Sequence, residues 1–141
     1  MKKTMFIALV LISAFATGFA QSKTPSTVMA AFKEKFPSAT DVKWGKESAK
    51  EYEAAFKLNG GNYSASFDNA GVWLETESPL KFDQLPDKVQ NAFDASHKGQ
   101  TIKAISKIET SKGTMKYEIE VKQGSKTLEL FYHEDGTKAS E

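Results

Sequence analysis

The sequence has no cysteine. For a chain headed for export, that absence excludes disulfides, thiol catalysis and thiolate metal sites together. It has no arginine either, so all 19 basic residues are Lys, opposed by 18 acidic ones. Such a chain lacks both the long-range field and the bidentate forks that favour nucleic acid or phosphate. A nucleic-acid role is excluded. Histidine is limited to His97 and His133, and no G-x-S-x-G elbow occurs. Long apolar runs are confined to the start, where Lys2 and Lys3 precede Met5 to Phe15 and small residues lead to Gly18-Phe19-Ala20. This run is shorter than the roughly 20 residues needed to span a bilayer. It has the form of a secretory signal over residues 1–20, cut after Ala20. Gln21 in place of Cys argues against a lipid anchor, and residues 21–141 are expected to form one periplasmic or secreted domain. Loss of Lys2 and Lys3 leaves 17 Lys against 18 carboxylates, a net charge of −1.

What is present is a long internal echo. Pro25-x-x-Val28-x-x-Ala31-Phe32 recurs as Pro86-x-x-Val89-x-x-Ala92-Phe93, and Trp44 falls on Ile105, at a spacing of 61. Tyr52, Ala54, Phe56, Tyr63, Ala65, Phe67 and Gly71 fall on Tyr117, Ile119, Val121, Leu128, Leu130, Tyr132 and Gly136, at a spacing of 65. Two repeats, 24–78 and 82–141, are expected. Each half alone would be marginal in size, which favours fusion around a shared sheet or core.

Each repeat opens with an expected helix. Thr24 suits an N-cap and Pro25 the first helical position, Val28, Ala31 and Phe32 recur at helical spacing, and Pro37 closes the segment. Pro86, Val89, Ala92 and Phe93 repeat the arrangement, with Gly99 as a stop. The rest alternates as strand. Met115 to Lys122 switches between apolar and charged residues without a fault, as a half-buried strand requires. Tyr52 to Leu58, Tyr63 to Phe67 and Leu128 to Tyr132 share the period, and Gly60-Gly61-Asn62 and Gln123-Gly124-Ser125 supply hairpin turns. Val72 to Thr76 makes a fourth strand, and Thr137 to Ser140 is a weak counterpart. The expected fold is α+β: two tandem helix-plus-four-strand repeats forming a two-layer antiparallel sheet, with both helices on one face and the other face wet.

No grouping of side chains names a reaction. His97 and His133 fall at distant places in the repeats and are expected at the surface. Ser64 and Ser66 lie on the wet side of a strand without an obvious base. Glu75 with Glu77, and Glu118 with Glu120, share a face by period two. Acid–base work needs carboxylates in unequal, partly dry settings, and Lys116 and Lys122 interleave with the second pair, so a solvated, ion-paired face is expected. No catalytic residue, metal site or cofactor is expected. Alternation directs Tyr63, Ala65, Phe67, Val72 and Leu74 toward the helix and assigns Trp44 to the core. It places Trp73, Glu75, Phe131 and His133 on the open face as the candidate partner-binding residues. A seam between repeats or a bulge turning Trp73 inward is the competing reading.

The stretch V-x-x-A-F-x-x-x-F-P-x-A-x-x-V-x-W from Val28 to Trp44 is followed by Tyr52-Glu-Ala-Ala-Phe56. Beyond it come Ala65-Ser-Phe67-Asp68-x-x-Gly71-x-Trp73-Leu74-Glu75-Thr76-Glu77 and Leu85-Pro86. Over nearly all of residues 21–141 this resembles the exported PepSY-like, beta-lactamase-inhibitor-like (BLIP-like) family. The resemblance implies a tandem helix-plus-four-strand fold and a periplasmic setting, and it carries over no fixed catalytic or inhibitory residues. The expected function is that of an exported, non-enzymatic protein. It would bind an envelope protein or peptide on the open sheet face, including as an inhibitor of a peptidase or other envelope enzyme. The alternative is a small-molecule or ion-binding periplasmic sensor.

Overall fold

The computed structural model describes residues 23–140, so the expected signal segment lies outside the described residues. Pro25 stands just ahead of α1 (Ser26–Lys35) at φ −56°, and Pro86 just ahead of α2 (Asp87–His97) at φ −54°. The ring fixes φ near the helical value, and proline has no amide hydrogen to leave unsatisfied at a helix start. Both prolines sit one residue earlier than the first helical position anticipated for them. Each accepts the opening helical hydrogen bond at its carbonyl, Pro25 from the Met29 amide (3.1 Å) and Pro86 from the Gln90 amide (3.0 Å). Phe36, which precedes Pro37, leaves the helical region at φ −126°, ψ 64° and ends α1.

The strands are β1 (Thr40–Lys46), β2 (Glu51–Leu58), β3 (Gly61–Asp68), β4 (Trp73–Pro79), β5 (Ile102–Thr110), β6 (Met115–Gln123) and β7 (Lys126–Tyr132). They form one seven-stranded antiparallel sheet in chain order β1 to β7. A short 3₁₀ turn, Phe82–Gln84, leads into α2. The sheet has seven strands rather than eight. Where a fourth strand of the second half was expected, Lys138 makes an isolated bridge to Tyr132. Thr137 to Ser140 offers no branched or aromatic apolar side chain to bury, so it is held to the edge by hydrogen bonds, from its backbone and from the Lys116 ammonium to the Ser140 carbonyl.

Register fixes which residues share a face. Ala54 pairs with Ala65, Ala65 with Thr76, Thr76 with Glu109, and Glu109 with Met115. Since side chains alternate along each strand, Met115, Tyr117, Ile119 and Val121 lie on the same face as Ala54 and Phe56. Val28 and Phe32 of α1 pack on Tyr52, Ala54, Phe56, Ala65 and Phe67. Val89 and Phe93 of α2 pack on Ile105, Tyr117, Ile119, Val121 and Tyr132. Both helices therefore cover one face, as anticipated, over two adjacent core clusters. The first cluster is built of rings: Phe32 lies 5.3 Å from Trp44 and 5.0 Å from Phe56, both edge to face. The second is mainly aliphatic, with Phe93 meeting Phe82 at 5.6 Å.

The turns that follow β3 and β7 dock onto the helices. Gly71 (φ +83°) lies against the Thr27 carbonyl and Ala31 of α1, and Gly136 (φ +82°) lies against the Lys88 carbonyl of α2. A carboxylate organises each turn: Asp68 Oδ1 accepts from the Ala70 and Val72 amides, and Asp135 Oδ1 from the Thr137 amide. The Thr137 hydroxyl and amide hold the Asp135 carboxyl below the usual carboxylate range.

Candidate functional site on the helix-free face

Alternation sends the other half of the strand residues to the face away from both helices. Ala55 of β2 pairs with Ser64 of β3, Ser64 with Glu77 of β4, Glu77 with Ile108 of β5, and Ile108 with Lys116 of β6. One step along, Ser106 pairs with Glu118 and Glu118 with Phe131; a further step pairs Ala104 with Glu120 and Glu120 with Glu129. On the other side of this row, Glu53 pairs with Ser66 and Ser66 with Glu75. This face thus presents carboxylates among small residues together with Ile108, Lys116 and Phe131.

These carboxylates are not solvated as expected. Glu77 is 7% exposed, Glu118 2% and Glu120 3%. They occupy β4 and β6, inside the sheet, where side chains of adjoining strands shield them even though no helix does. One oxygen of Glu77, Oε2, is buried and makes no hydrogen bond. Desolvation, joined by the negative fields of Glu118, Glu53, Glu75 and Glu120, pushes the Glu77 carboxyl up to about 9. A carboxyl so placed is protonated at neutral pH. Burial also raises Glu120, against the opposing pull of Lys103. The expectation of a solvated face fails at these three residues. Lys116, expected among the ion pairs, instead lies 5.6 Å from the Phe131 ring centroid and donates to the Ser140 carbonyl.

The four residues singled out for partner binding do not form one patch. The register shifts between Ser66 and Phe67, so that Phe67 pairs with Trp73. This bulge carries Trp73 to the helix side, where it packs on the first core cluster. There the Lys35 ammonium of α1 sits 3.6 Å above its ring centroid, and the indole N–H donates to the Thr76 hydroxyl. Val72, expected toward the helix, is exposed. Glu75 and Phe131 do lie half-buried on the open face. His133 is exposed just past the end of β7, its amide bonded to the Thr137 carbonyl. His97, expected at the surface, is half-buried against Phe93, with ring centroids 5.7 Å apart. The Glu77, Glu118 and Glu120 cluster went unrecognised in the sequence as a site; its signal was their place on central strands rather than edges.

Among the described residues, no three His, Cys, Asp or Glu side chains are set to hold a metal ion, and no helix is long and apolar enough to cross a membrane. Residues 50–138 match the family described as "Putative beta-lactamase-inhibitor-like, PepSY-like". The chain belongs to this family. A DUF2874 family protein from Bacteroides ovatus is 28% identical, with 82% of this chain aligned to 84% of that one at a TM-score of 0.70. A BLIP-like protein from Bacteroides fragilis is 26% identical over 82% and 83% of the two chains, at a TM-score of 0.66. At 21% identity, over 83% and 86% of the chains and a TM-score of 0.75, a Bacteroides eggerthii structure named among "putative periplasmic proteins" shares the fold. No curated protein matches the chain. The PepSY-like, BLIP-like fold is of an inhibitor type, in keeping with a binding protein.

Proposed function

We propose that this protein is a non-enzymatic binding protein of the bacterial envelope. It takes a protein or peptide partner on its helix-free sheet face and thereby restrains a peptidase or another envelope enzyme. The observation that carries this reading is the division of the sheet: one face is closed by α1 and α2. The other carries half-buried side chains, among them the carboxylate of Glu75 and the ring of Phe131, with nothing of the described chain packed over them as a second layer. An antiparallel sheet can leave one face open to solvent, and aromatic side chains on such a face are frequent anchors for a partner. Membership in a BLIP-like family, the signal-like leader of the sequence and the name of the Bacteroides eggerthii relative support the envelope setting.

The test is to compare cross-linked partners captured in envelope extract by three forms of the protein. Ala55→Arg puts a long side chain on the open face, two strands from Glu77, whereas Met29→Arg alters an exposed position on α1. The expected result is that Met29→Arg keeps the partners of the wild type and Ala55→Arg loses them. Retention by both variants overturns the reading.

A further inference from the structure

Resting on the binding role proposed above, we infer that the Glu77 position of the open face receives a cationic side chain, Lys or Arg, borne by an extended segment of the partner. The surroundings are built for one. Glu77 is 7% exposed, and its Oε2 lacks any hydrogen-bond partner. A buried oxygen left unmatched costs the full desolvation of that atom, and a donor arriving from a ligand recovers it. Glu53 from β2, Glu75 from β4, and Glu118 and Glu120 from β6 all bring negative charge to bear on it. The remaining neighbours in its row are Ser64 on β3, Ile108 on β5 and, beyond Ile108, Lys116. Ser64 directly across on β3 and Ser106 diagonally across on β5 carry short side chains.

Charge complementarity then selects the occupant. A metal ion would ask for three converging ligands, which the described residues do not offer. An ammonium or guanidinium needs one anchoring carboxylate and a negative field, and these are present. An extended chain laid across the sheet presents alternate residues to it, so a Lys or Arg at such a position can be directed at Glu77. Proton balance follows from chemistry: Glu77 enters the complex as a carboxylate, giving its proton to solvent, while the incoming cation keeps its own.

The probe is a fluorescein-labelled (Lys-Thr)4 peptide, with (Glu-Thr)4 and spermidine as comparisons. Binding is measured by anisotropy at low salt and by calorimetry in two buffers of different ionisation enthalpy. Wild type is expected to bind (Lys-Thr)4 and not (Glu-Thr)4, with release of about one proton at pH 7. Glu77→Gln resembles the protonated side chain in shape and charge, so the fold is retained, checked by circular dichroism. It should bind about tenfold more weakly or worse, without proton release. Asp83→Asn removes an acidic residue from an exposed position in the 3₁₀ turn and should bind like wild type. Equal affinity for Glu77→Gln and wild type overturns the inference, as does equal loss in both variants. Spermidine binding as tightly as the peptide also overturns it, because the cation then need not be chain-borne. If any of these occurs while Ala55→Arg still abolishes partner capture, the open-face reading stands and only the cation is lost.

Discussion

The two faces of this sheet are built from the same alternating strands but solve opposite problems. On the covered face, β6 contributes Tyr117, Ile119 and Val121 to a cluster capped by Val89 and Phe93. On the bare face the same strand contributes Glu118 and Glu120, nearly as inaccessible as their apolar neighbours. Burial on the covered face is secured by a helix, and burial on the bare face by lateral neighbours alone. The first kind stabilises the fold. The second leaves Glu77 Oε2 on β4 without a hydrogen bond and so holds free energy that a donor from a partner can release. The sharpest way to break the covered face is Phe32→Ala, which empties the centre of a ring cluster formed with Phe36, Trp44, Phe56 and Phe67. The expected loss is about 3–5 kcal/mol in denaturant unfolding. A loss below about 1 kcal/mol would mean that α1 contributes little to the core.

The bare face is tested by pH. The folded Glu77 carboxyl sits near 9 against a usual value of 4.5, so between these limits the folded protein holds a proton that the unfolded chain has released. Stability from this group is complete below pH 4.5 and declines as pH rises through the window, with a slope approaching about 1.4 kcal/mol per pH unit. Glu77→Gln removes the titrating proton. Its stability should exceed that of wild type increasingly toward pH 8. Parallel stability curves for the two proteins from pH 5 to 8 would contradict the protonated state.

The covered face was the readable one. Fault-free alternation from Met115 to Lys122 identified β6, and the paired proline-led stripes at Val28, Phe32, Val89 and Phe93 identified both helices and what they cover. What escaped belongs to two physical causes. Period-two counting fails at a bulge: one extra residue opposite Ser66 and Phe67 reversed Trp73 and left Val72 exposed, and no residue type in that stretch announces it. Alternation also says which side a residue faces, not how dry that side is. Glu77, Glu118 and Glu120 look like solvent-facing members of their strands. They stand on β4 and β6, each flanked by strands on both sides, and the side chains beside them there keep them dry. The weak last strand was legible as weak, because Thr137 to Ser140 lacks apolar bulk.

Where helix and sheet are joined by turns, the covered face can be probed more finely. Gly71 and Gly136 both need positive φ, yet they differ in clearance. A Cβ on Gly71 would approach the Thr27 carbonyl oxygen to 3.0 Å, and one on Gly136 would reach the Lys88 carbonyl oxygen at 2.5 Å. Left-handed backbone alone costs a non-glycine residue roughly 1–2 kcal/mol. Gly136→Ala adds a clash with helix backbone that cannot swing aside, so it should destabilise more than Gly71→Ala, by about 2–3 kcal/mol in total. Thermal unfolding of the pair checks the ranking. The reverse order would show that the turn after β7 yields where the turn after β3 does not.

The smallest effect separates the two meanings of an aromatic residue on this sheet. Trp73 is held from the helix side by the Lys35 ammonium above its ring and by the Thr76 hydroxyl that accepts from its indole N–H. If its role is to fasten α1 to the start of β4, Lys35→Ala should cost about 0.5–1 kcal/mol, the range of a partly exposed cation–π contact. It should leave binding of the basic peptide untouched, because Lys35 is on the covered side. Phe131, on the bare side beside Glu118, predicts the converse: Phe131→Ala should weaken peptide binding more than it lowers stability. Measuring both quantities for both variants distinguishes them. A Lys35→Ala protein of unchanged stability but altered binding would mean that the covered face also takes part in recognition, and the division of labour between the faces would fall.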